Sequence, residues 1–426
     1  MKKMQPFCFA KTKKLYFCET EKCNIMIDIR LIDRNLYLEQ LEHTKNTPDI
    51  KVITGVRRCG KSKLLEMFIE KIKSSEKNAN IIHLNFNLLK FEPLQEYHKL
   101  HDFIEDSYQD GKDNYVMIDE IQMCESFEKA VNSLHASEKY NIYVTGSNAF
   151  LLSSDLATLF TGRTFELKMF PFSFNEYVTY YKPNDCNAAF DSYLEEGGMA
   201  GSYLYTTAKE KYAYINDEVF NALIVRDIIR RYKIRNVNLL NKLVDFLMDN
   251  IGNITSIRKI ADTLTSNKTK TNDKTVGKYI GYLCDAFAFY RIRRYDISGK
   301  KYLTTDDKFY LSDHSFKFAR LGTKNLNTGR VIENIVAVEL LRRGYEVYVG
   351  TMYNGEIDFV AMKQNEKLYF QVSDDISSEK TFTREVSPLL KIKDAYPKIL
   401  LARTRQKEFQ HEGIRIINLA DWLSRN

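Results

Sequence analysis

Residues Gly55-Val56-Arg57-Arg58-Cys59-Gly60-Lys61-Ser62 have the spacing G-x-x-x-x-G-K-S, and the chemistry of that spacing is the cradling of a polyphosphate. Gly55 and Gly60 let the backbone turn successive N–H groups onto phosphate oxygens, and Lys61 reaches the outer phosphates. The Ser62 hydroxyl is a hard oxygen ligand suited to Mg²⁺. With Lys63 closing the segment, Gly55 to Lys63 form the candidate nucleotide-binding set. A loop of this kind needs a buried strand before it and a helix after it. Lys51-Val-Ile-Thr54 is a β-branched run fit for the strand. Lys63-Leu-Leu-Glu-Met-Phe-Ile-Glu-Lys-Ile72 has helical spacing, so the loop ends at a helix N-terminus, where free N–H groups favour anions.

Hydrolysis needs a second acidic site at the end of a neighbouring strand, and Tyr115-Val-Met-Ile118 followed by Asp119-Glu120 supplies one. Asp119 is expected to hold Mg²⁺ with Ser62, and Glu120 to polarise the attacking water. Ile81 to Phe86 is a further strand between the two motifs. Asn141-Ile-Tyr-Val-Thr-Gly-Ser-Asn148 is another, ending in small polar residues. Strand C-termini of an open parallel sheet line one crevice, so Ser147 and Asn148 are expected to face the γ-phosphate. Arg163, before the strand Phe165-Glu-Leu-Lys-Met169, is a candidate for neutralising transition-state charge, in cis or from a neighbouring subunit.

Together, Val52 to Ser62, Ile118-Asp-Glu-Ile-Gln122, Thr145-Gly-Ser-Asn148, Gly162-Arg163 and Phe170-Pro-Phe-Ser-Phe-Asn-Glu-Tyr177 resemble the prokaryotic AAA-type ATPases that carry a C-terminal domain of unknown function. These are related to the archaeal ATPase group within the signal-transduction-like NTPases. The resemblance runs from about Ile27 to the C-terminus. It implies an ATPase core, a winged-helix segment and a last domain similar to restriction endonucleases. Gly197-Gly-Met-Ala200 stands where such proteins commonly show Gly-Gly-x-Pro, a change in turn rigidity rather than chemistry.

The whole chain has 426 residues, enough for two or three domains, with 44% hydrophobic and 28% charged residues, which reads as soluble and globular. No apolar run is long enough to span a bilayer, so no membrane partner is expected. Residues 1–26 lack the apolar core of a secretory signal and read as a disordered extension, with Met26 an alternative initiator. Cys8, Cys18 and Cys23 are too widely spaced, with no nearby His, to favour a metal cluster. Seven cysteines without a disulfide framework point to a reducing, cytoplasmic setting.

The net charge of +7 is unevenly placed: Arg226 to Lys301 holds 17 Lys and Arg against 7 Asp and Glu, or +10. Polyanions are the natural partners of such a segment. Asp217 to Arg235 reads as a basic helix with Arg226 and Arg230 one turn apart. Leu239 to Met248, Ile257 to Leu264 and Thr275 to Leu283 read as three helices. Phe289 to Tyr295 and Tyr302 to Thr305 read as a hairpin wing. This is the pattern of a winged helix, with Lys274, Lys278, Tyr279 and Tyr282 on or beside the recognition helix. Arg291, Arg293, Arg294, Lys300 and Lys301 would then contact duplex DNA from the wing.

From about Asp313 a helix, Val331 to Leu341, precedes strands 346–350, 356–361, 368–373, 398–401 and 414–418, an order resembling the restriction-endonuclease core. The resemblance implies a metal site on Asp358 and Glu333, with Glu356 beside Asp358. The expected acid-x-Lys triplet, however, reads Gln371-Val372-Ser373, which lacks both the carboxylate and the cation.

The expected class is α/β: a P-loop NTPase parallel sheet with helices on both faces, then a winged helix and a restriction-endonuclease-like domain. The expected divisions are 27–200 for the ATPase, 201–235 for a basic connector, 236–312 for the winged helix and 313–426 for a last domain without nuclease activity. The reading is an ATPase using ATP and Mg²⁺ as a nucleotide-dependent switch or remodeller on DNA or a DNA-associated partner. Two alternatives stand beside it: an ATP-regulated nuclease, and a scaffold ATPase that forms a homo-oligomer on nucleotide without touching DNA.

Overall fold

In the computed structural model, residues 31–146, 160, 162–299, 301–302, 306–322, 327–353 and 355–425 are described. Residues 1–26, the three early cysteines, Ser147, Asn148 and Lys300 lie outside them. Strands buried on both faces read as near-continuous apolar runs, as the three central strands of the five-stranded first sheet do, while its two edge strands are partly exposed. The five are β1 (Ile50–Gly55), β2 (Ala79–Asn85), β3 (Asp113–Asp119), β4 (Tyr140–Thr145) and β5 (Thr164–Met169). All pair in parallel, in the order β2-β3-β4-β1-β5. The strand that follows the phosphate loop in sequence, β2, lies at the edge. In space it is β4 that separates β1 from β3.

Successive β-strand residues face opposite ways, and both faces are covered. Ile53, Met117 and Tyr143 pack with helices α1 (Asn35–His43) and α2 (Lys61–Ser75). Val52, Val116, Ile118 and Val144 pack with α3 (Tyr97–Asp106) and α4 (Phe127–Ala136).

A helix over Ala208–Ala213 continues into two π-helical stretches, Tyr214–Phe220 and Leu223–Arg230. Helices Val237–Asp249, Ile257–Ser266 and Asp273–Asp285 follow, near their expected bounds. The expected hairpin is built into a larger sheet. Strand β6 (Phe289–Asp296) pairs antiparallel with β7 (Lys301–Tyr302) and β8 (Lys308–Leu311), and parallel with β9 (Glu346–Met352). It is therefore an interior member of a nine-stranded sheet rather than a free hairpin. The remaining strands are β10 (Gly355–Lys363), β11 (Glu366–Ser373), β12 (Lys398–Ala402), β13 (Phe409–His411) and β14 (Ile414–Asn418). Their order is β13-β14-β12-β11-β10-β9-β6-β7. Helix Thr328–Arg342 covers one face with Val331 and Ile335, and helix Glu379–Leu390 covers the other with Val386 and Leu389.

Candidate functional site

The phosphate loop joins the end of β1 to the start of α2. Gly55 has φ +139° and Gly60 φ +105°, angles open to glycine, and a Cβ at Gly55 would collide with the Met169 carbonyl. Val56 and Cys59 are buried beneath the loop. Lys61 is 5% exposed, and its Nζ donates to Gly55 O at 2.9 Å and Val56 O at 3.0 Å. Its ammonium thus lies inside the loop's curve. Lys63 points along the helix and pairs with Glu66 at 2.8 Å.

The loop is held from behind by a residue the sequence did not flag. Buried Arg34 donates to the Cys59 carbonyl at 2.9 Å and to Phe170 O at 3.0 Å, and it pairs with Glu176 at 2.6 Å. The Glu176 carboxylate also accepts from the Ser173 N–H at 2.8 Å, one half of a capping box with Ser173 that starts the helix Phe174–Tyr181. The motif Phe170 to Tyr177 is thereby explained: it caps its own helix and fixes Arg34 against the phosphate loop.

At the ends of β3 and β4 three residues converge. Asp119 is 1% exposed; its Oδ1 accepts from the Thr145 hydroxyl, while Oδ2 is buried with no hydrogen-bond partner among the described residues. Burial raises the Asp119 carboxyl above its ordinary value, with the Thr145 and Ser62 hydroxyls opposing, Glu120 adding to the rise and Lys61 opposing it. Glu120 sits at φ +58°, a left-handed conformation costly for a side-chain-bearing residue, and its N–H donates to Thr145 Oγ1 at 3.2 Å. Gln122 donates to the Glu120 carboxylate. Thr145 thus ties both acidic residues together. Its signal was present as the polar residue ending an apolar strand.

Arg163 is placed elsewhere. Its carbonyl accepts from Ile50 N at 2.8 Å, so it lies at the start of β1, whereas the loop follows the end of that strand. A strand advances about 3.3 Å per residue, so some 17 Å of sheet separates them. The expected cis role fails on this geometry, and the exposed side chain remains open to a neighbouring subunit.

In the basic middle, Lys274, Lys278 and Arg293 are exposed. Tyr279 is buried at 9% exposure, on the face of helix Asp273–Asp285 that carries Val276, Ile280 and Leu283 into the core, so it is not open to a duplex. Tyr282 stacks on Tyr232 with ring centroids 3.5 Å apart. Arg291 is bound to Asp307 at 2.6 Å, and Arg294 donates to Thr351 at 3.2 Å, so neither stands free for phosphates. Lys301 lies in β7.

The last sheet gathers Glu333, Glu356, Asp358 and Gln371, as expected, around a residue not expected there. Lys308 of β8, 4% exposed, bridges Glu333 at 3.0 Å and Glu356 at 2.6 Å. Glu333 also accepts from Tyr310 at 2.6 Å. Burial, then Glu333, push the Asp358 carboxyl well above its ordinary value, against the Lys308 charge and the Val372 N–H at 2.8 Å. Gln371 donates to Glu385 at 3.0 Å, and Ser373 donates to Asp375 O at 2.8 Å. Among the described residues, no group of three or more His, Cys, Asp or Glu is arranged to hold a metal ion.

Residues 47–178 match the family described as an AAA domain, and residues 187–327 match a domain of unknown function, DUF8612. The second match ends before the last sheet's strands β9 to β14, so it lends no support to a restriction-endonuclease-like unit. A Haemophilus influenzae protein described as uncharacterized is 36% identical over 397 residues, covering 92% of this chain and 98% of that protein. Uncharacterized protein MJ1544 of Methanocaldococcus jannaschii is 27% identical over 376 residues, covering 80% and 82%. Among solved structures, the Aeropyrum pernix ORC1 protein in complex with DNA aligns over 71% of this chain and 95% of that one, at 12% identity and TM-score 0.30. Domain III of the Thermotoga maritima replication initiation protein DnaA aligns over 47% and 90%, at 17% identity and TM-score 0.29. Superpositions that loose carry no functional argument. No helix among the described residues is long and apolar enough to cross a membrane. With the phosphate loop, the parallel sheet and the family match in agreement, the chain belongs to the family of the Haemophilus influenzae protein, and its first unit is an AAA-type P-loop ATPase domain.

Proposed function

We propose that this chain binds ATP with Mg²⁺ at Gly55 to Lys63 and Asp119 and hydrolyses it with Glu120. The observation that carries the reading is the convergence of Asp119, Glu120 and Thr145 at the strand ends beside the loop. The metal's fit rests on Asp119: a carboxylate oxygen buried without a partner, near the Ser62 hydroxyl, is the hard oxygen donor Mg²⁺ takes. Mg²⁺ bound there would neutralise charge on the phosphate oxygens. Lys61 and the loop N–H groups hold the phosphates, and Thr145 orients Glu120 to take a proton from water. Lys61→Ala is expected to abolish binding of a fluorescent ATP analogue, and Glu120→Gln to bind it without releasing phosphate. Normal turnover by either variant sinks the assignment.

In the finer reading the ATPase acts in the cytoplasm as a nucleotide-dependent switch or remodeller on DNA or a DNA-associated partner, with Arg163 available to a neighbouring subunit in a homo-oligomer. Exposed Lys274, Lys278, Arg293, Arg226 and Arg230 support the DNA contact, although Arg291 and Arg294 are taken by the fold. Duplex binding should weaken steeply with salt, as counterion release requires; salt-insensitive or absent binding removes DNA from the reading. The last unit is read as a nuclease-like module without cleavage, because Gln371 and Ser373 are engaged with Glu385 and Asp375 while Lys308 already neutralises Glu333 and Glu356.

A further inference from the structure

The two arginines inside the phosphate loop both reach across to the π-helical connector. Arg58, held at φ +60°, donates to Tyr214 OH at 3.2 Å and to Glu218 at 3.2 Å. Arg57 faces Asp227, with NH1 to Oδ1 at 3.7 Å. Asp227 is 3% exposed, lies in the stretch Leu223–Arg230, and is a carboxylate in an otherwise apolar helical face with Leu223, Ile224 and Ile228.

This pair is half made. Arg57 Nε and Asp227 Oδ2 are each buried without a hydrogen-bond partner among the described residues. Burying a donor and an acceptor unpaired is costly, and a guanidinium and a carboxylate so placed form a two-bond fork with a shift of about 1 Å. Glu120, Lys61 and Arg226 also act on Asp227. The carboxylate is therefore within electrostatic reach of both the phosphate-binding lysine and the residue that would polarise water. π-helical turns place one extra residue per hydrogen-bonded ring and recur where a helix must aim a particular side chain.

We propose that Asp227 is a positioning residue of the nucleotide site, holding Arg57 so that the loop backbone is arranged for a nucleoside triphosphate and joining the connector to that loop. The inference rests on the reading that Gly55 to Ser62 bind nucleotide, and it assigns the connector a part in that site. Because Arg57 lies between Gly55 and Gly60, freeing its side chain loosens the N–H groups that meet the phosphates. Conversely, a bound polyphosphate fixes the loop, and through Arg57 it restrains Leu223–Arg230.

The test is a double-mutant cycle on the full chain, with affinity for a fluorescent, non-hydrolysable ATP analogue plus Mg²⁺ as readout. Arg57→Ala and Asp227→Asn should each weaken binding about tenfold, and the double variant should lose about tenfold rather than a hundredfold. Asp227→Glu should recover most of the loss, and it carries the cycle should Asp227→Asn not fold. Hydrogen exchange over residues 223–230 should slow on saturation with analogue in the wild type, and not in Asp227→Asn at equal saturation. Additive losses, wild-type affinity in Asp227→Asn, or equal slowing in both proteins overturns the joint. If the wild type binds analogue and Lys61→Ala does not, those outcomes fall on the joint alone; if the wild type fails to bind, the nucleotide reading falls and takes the joint with it.

Discussion

Thr145 is a small residue with a large share of the site's order. Its hydroxyl accepts from the Glu120 N–H and donates to Asp119, so one oxygen fixes both the strained backbone at Glu120 and the carboxylate beside Ser62. Valine has the same shape and neither function. Thr145→Val leaves a buried carboxylate oxygen and a backbone N–H unpaired, a cost of about 1–3 kcal/mol concentrated where water must be oriented. Phosphate release at saturating ATP should fall about tenfold or more, while analogue affinity changes less than about threefold. Equal losses in both measurements would mean Thr145 only supports binding. The loop itself was legible because its spacing is a direct statement of phosphate geometry. Thr145 showed as the polar residue ending an apolar strand, but Arg34 and Asp227 were not legible, because each acts through a partner far away in sequence: Arg34 meets Glu176, and Asp227 meets Arg57.

Among the elements, those whose burial is local were read well and those whose partners are remote were not. The central parallel strands announce themselves as apolar runs, and the three middle helices by amphipathic spacing, with Ser256 capping the second. The connector read as an α-helix because a short window hardly separates a period of 3.6 residues from the wider π-helical turn. Strand β6 read as a wing because nothing local encodes its parallel pairing to β9, some fifty residues on. Strand β1 carries one residue that opposes its own burial. Lys51 is fully buried, with Nζ donating to Thr47 O at 2.6 Å. Burial pulls its ammonium down to about 8 from the ordinary 10.5, with Asp49 opposing. Between those values the unfolded chain holds more protons than the folded one, so the lysine's penalty is full below pH 8 and fades as pH rises toward 10.5. Lys51→Met removes the charge and keeps the volume. In urea unfolding it should exceed the wild type by about 1–3 kcal/mol at pH 7, and that advantage should shrink by pH 10. A constant difference across the range would place the cause in packing instead.

At the scale of the molecule, the units are bound more closely than a string of domains would be. One buried apolar cluster runs from Tyr37 in α1 through Leu243 and Tyr310 to Leu423 near the C-terminus. The Gly197-Gly198 pair sits at its polar seam: Gly198 N donates to Asp313 at 2.7 Å, and a Cβ at either glycine would strike Asp313 or the Phe172 backbone. His314 meets Tyr193 O at 2.8 Å across the same seam. Strand β6 then carries the continuity into the last sheet, since it needs β8 on one side and β9 on the other. A chain stopped after Ser312 would strip β9 from β6, Glu333 from Lys308 and Asp313 from Gly198. It would leave a buried lysine without its carboxylates and an apolar strand edge open to pairing with other chains. Such a truncation is expected to aggregate, and the full chain to unfold in a single calorimetric transition, its calorimetric enthalpy equal to the van't Hoff value. Separate transitions, or a soluble 31–312 fragment with native near-ultraviolet dichroism, would show that the ATPase and middle units stand without the last sheet.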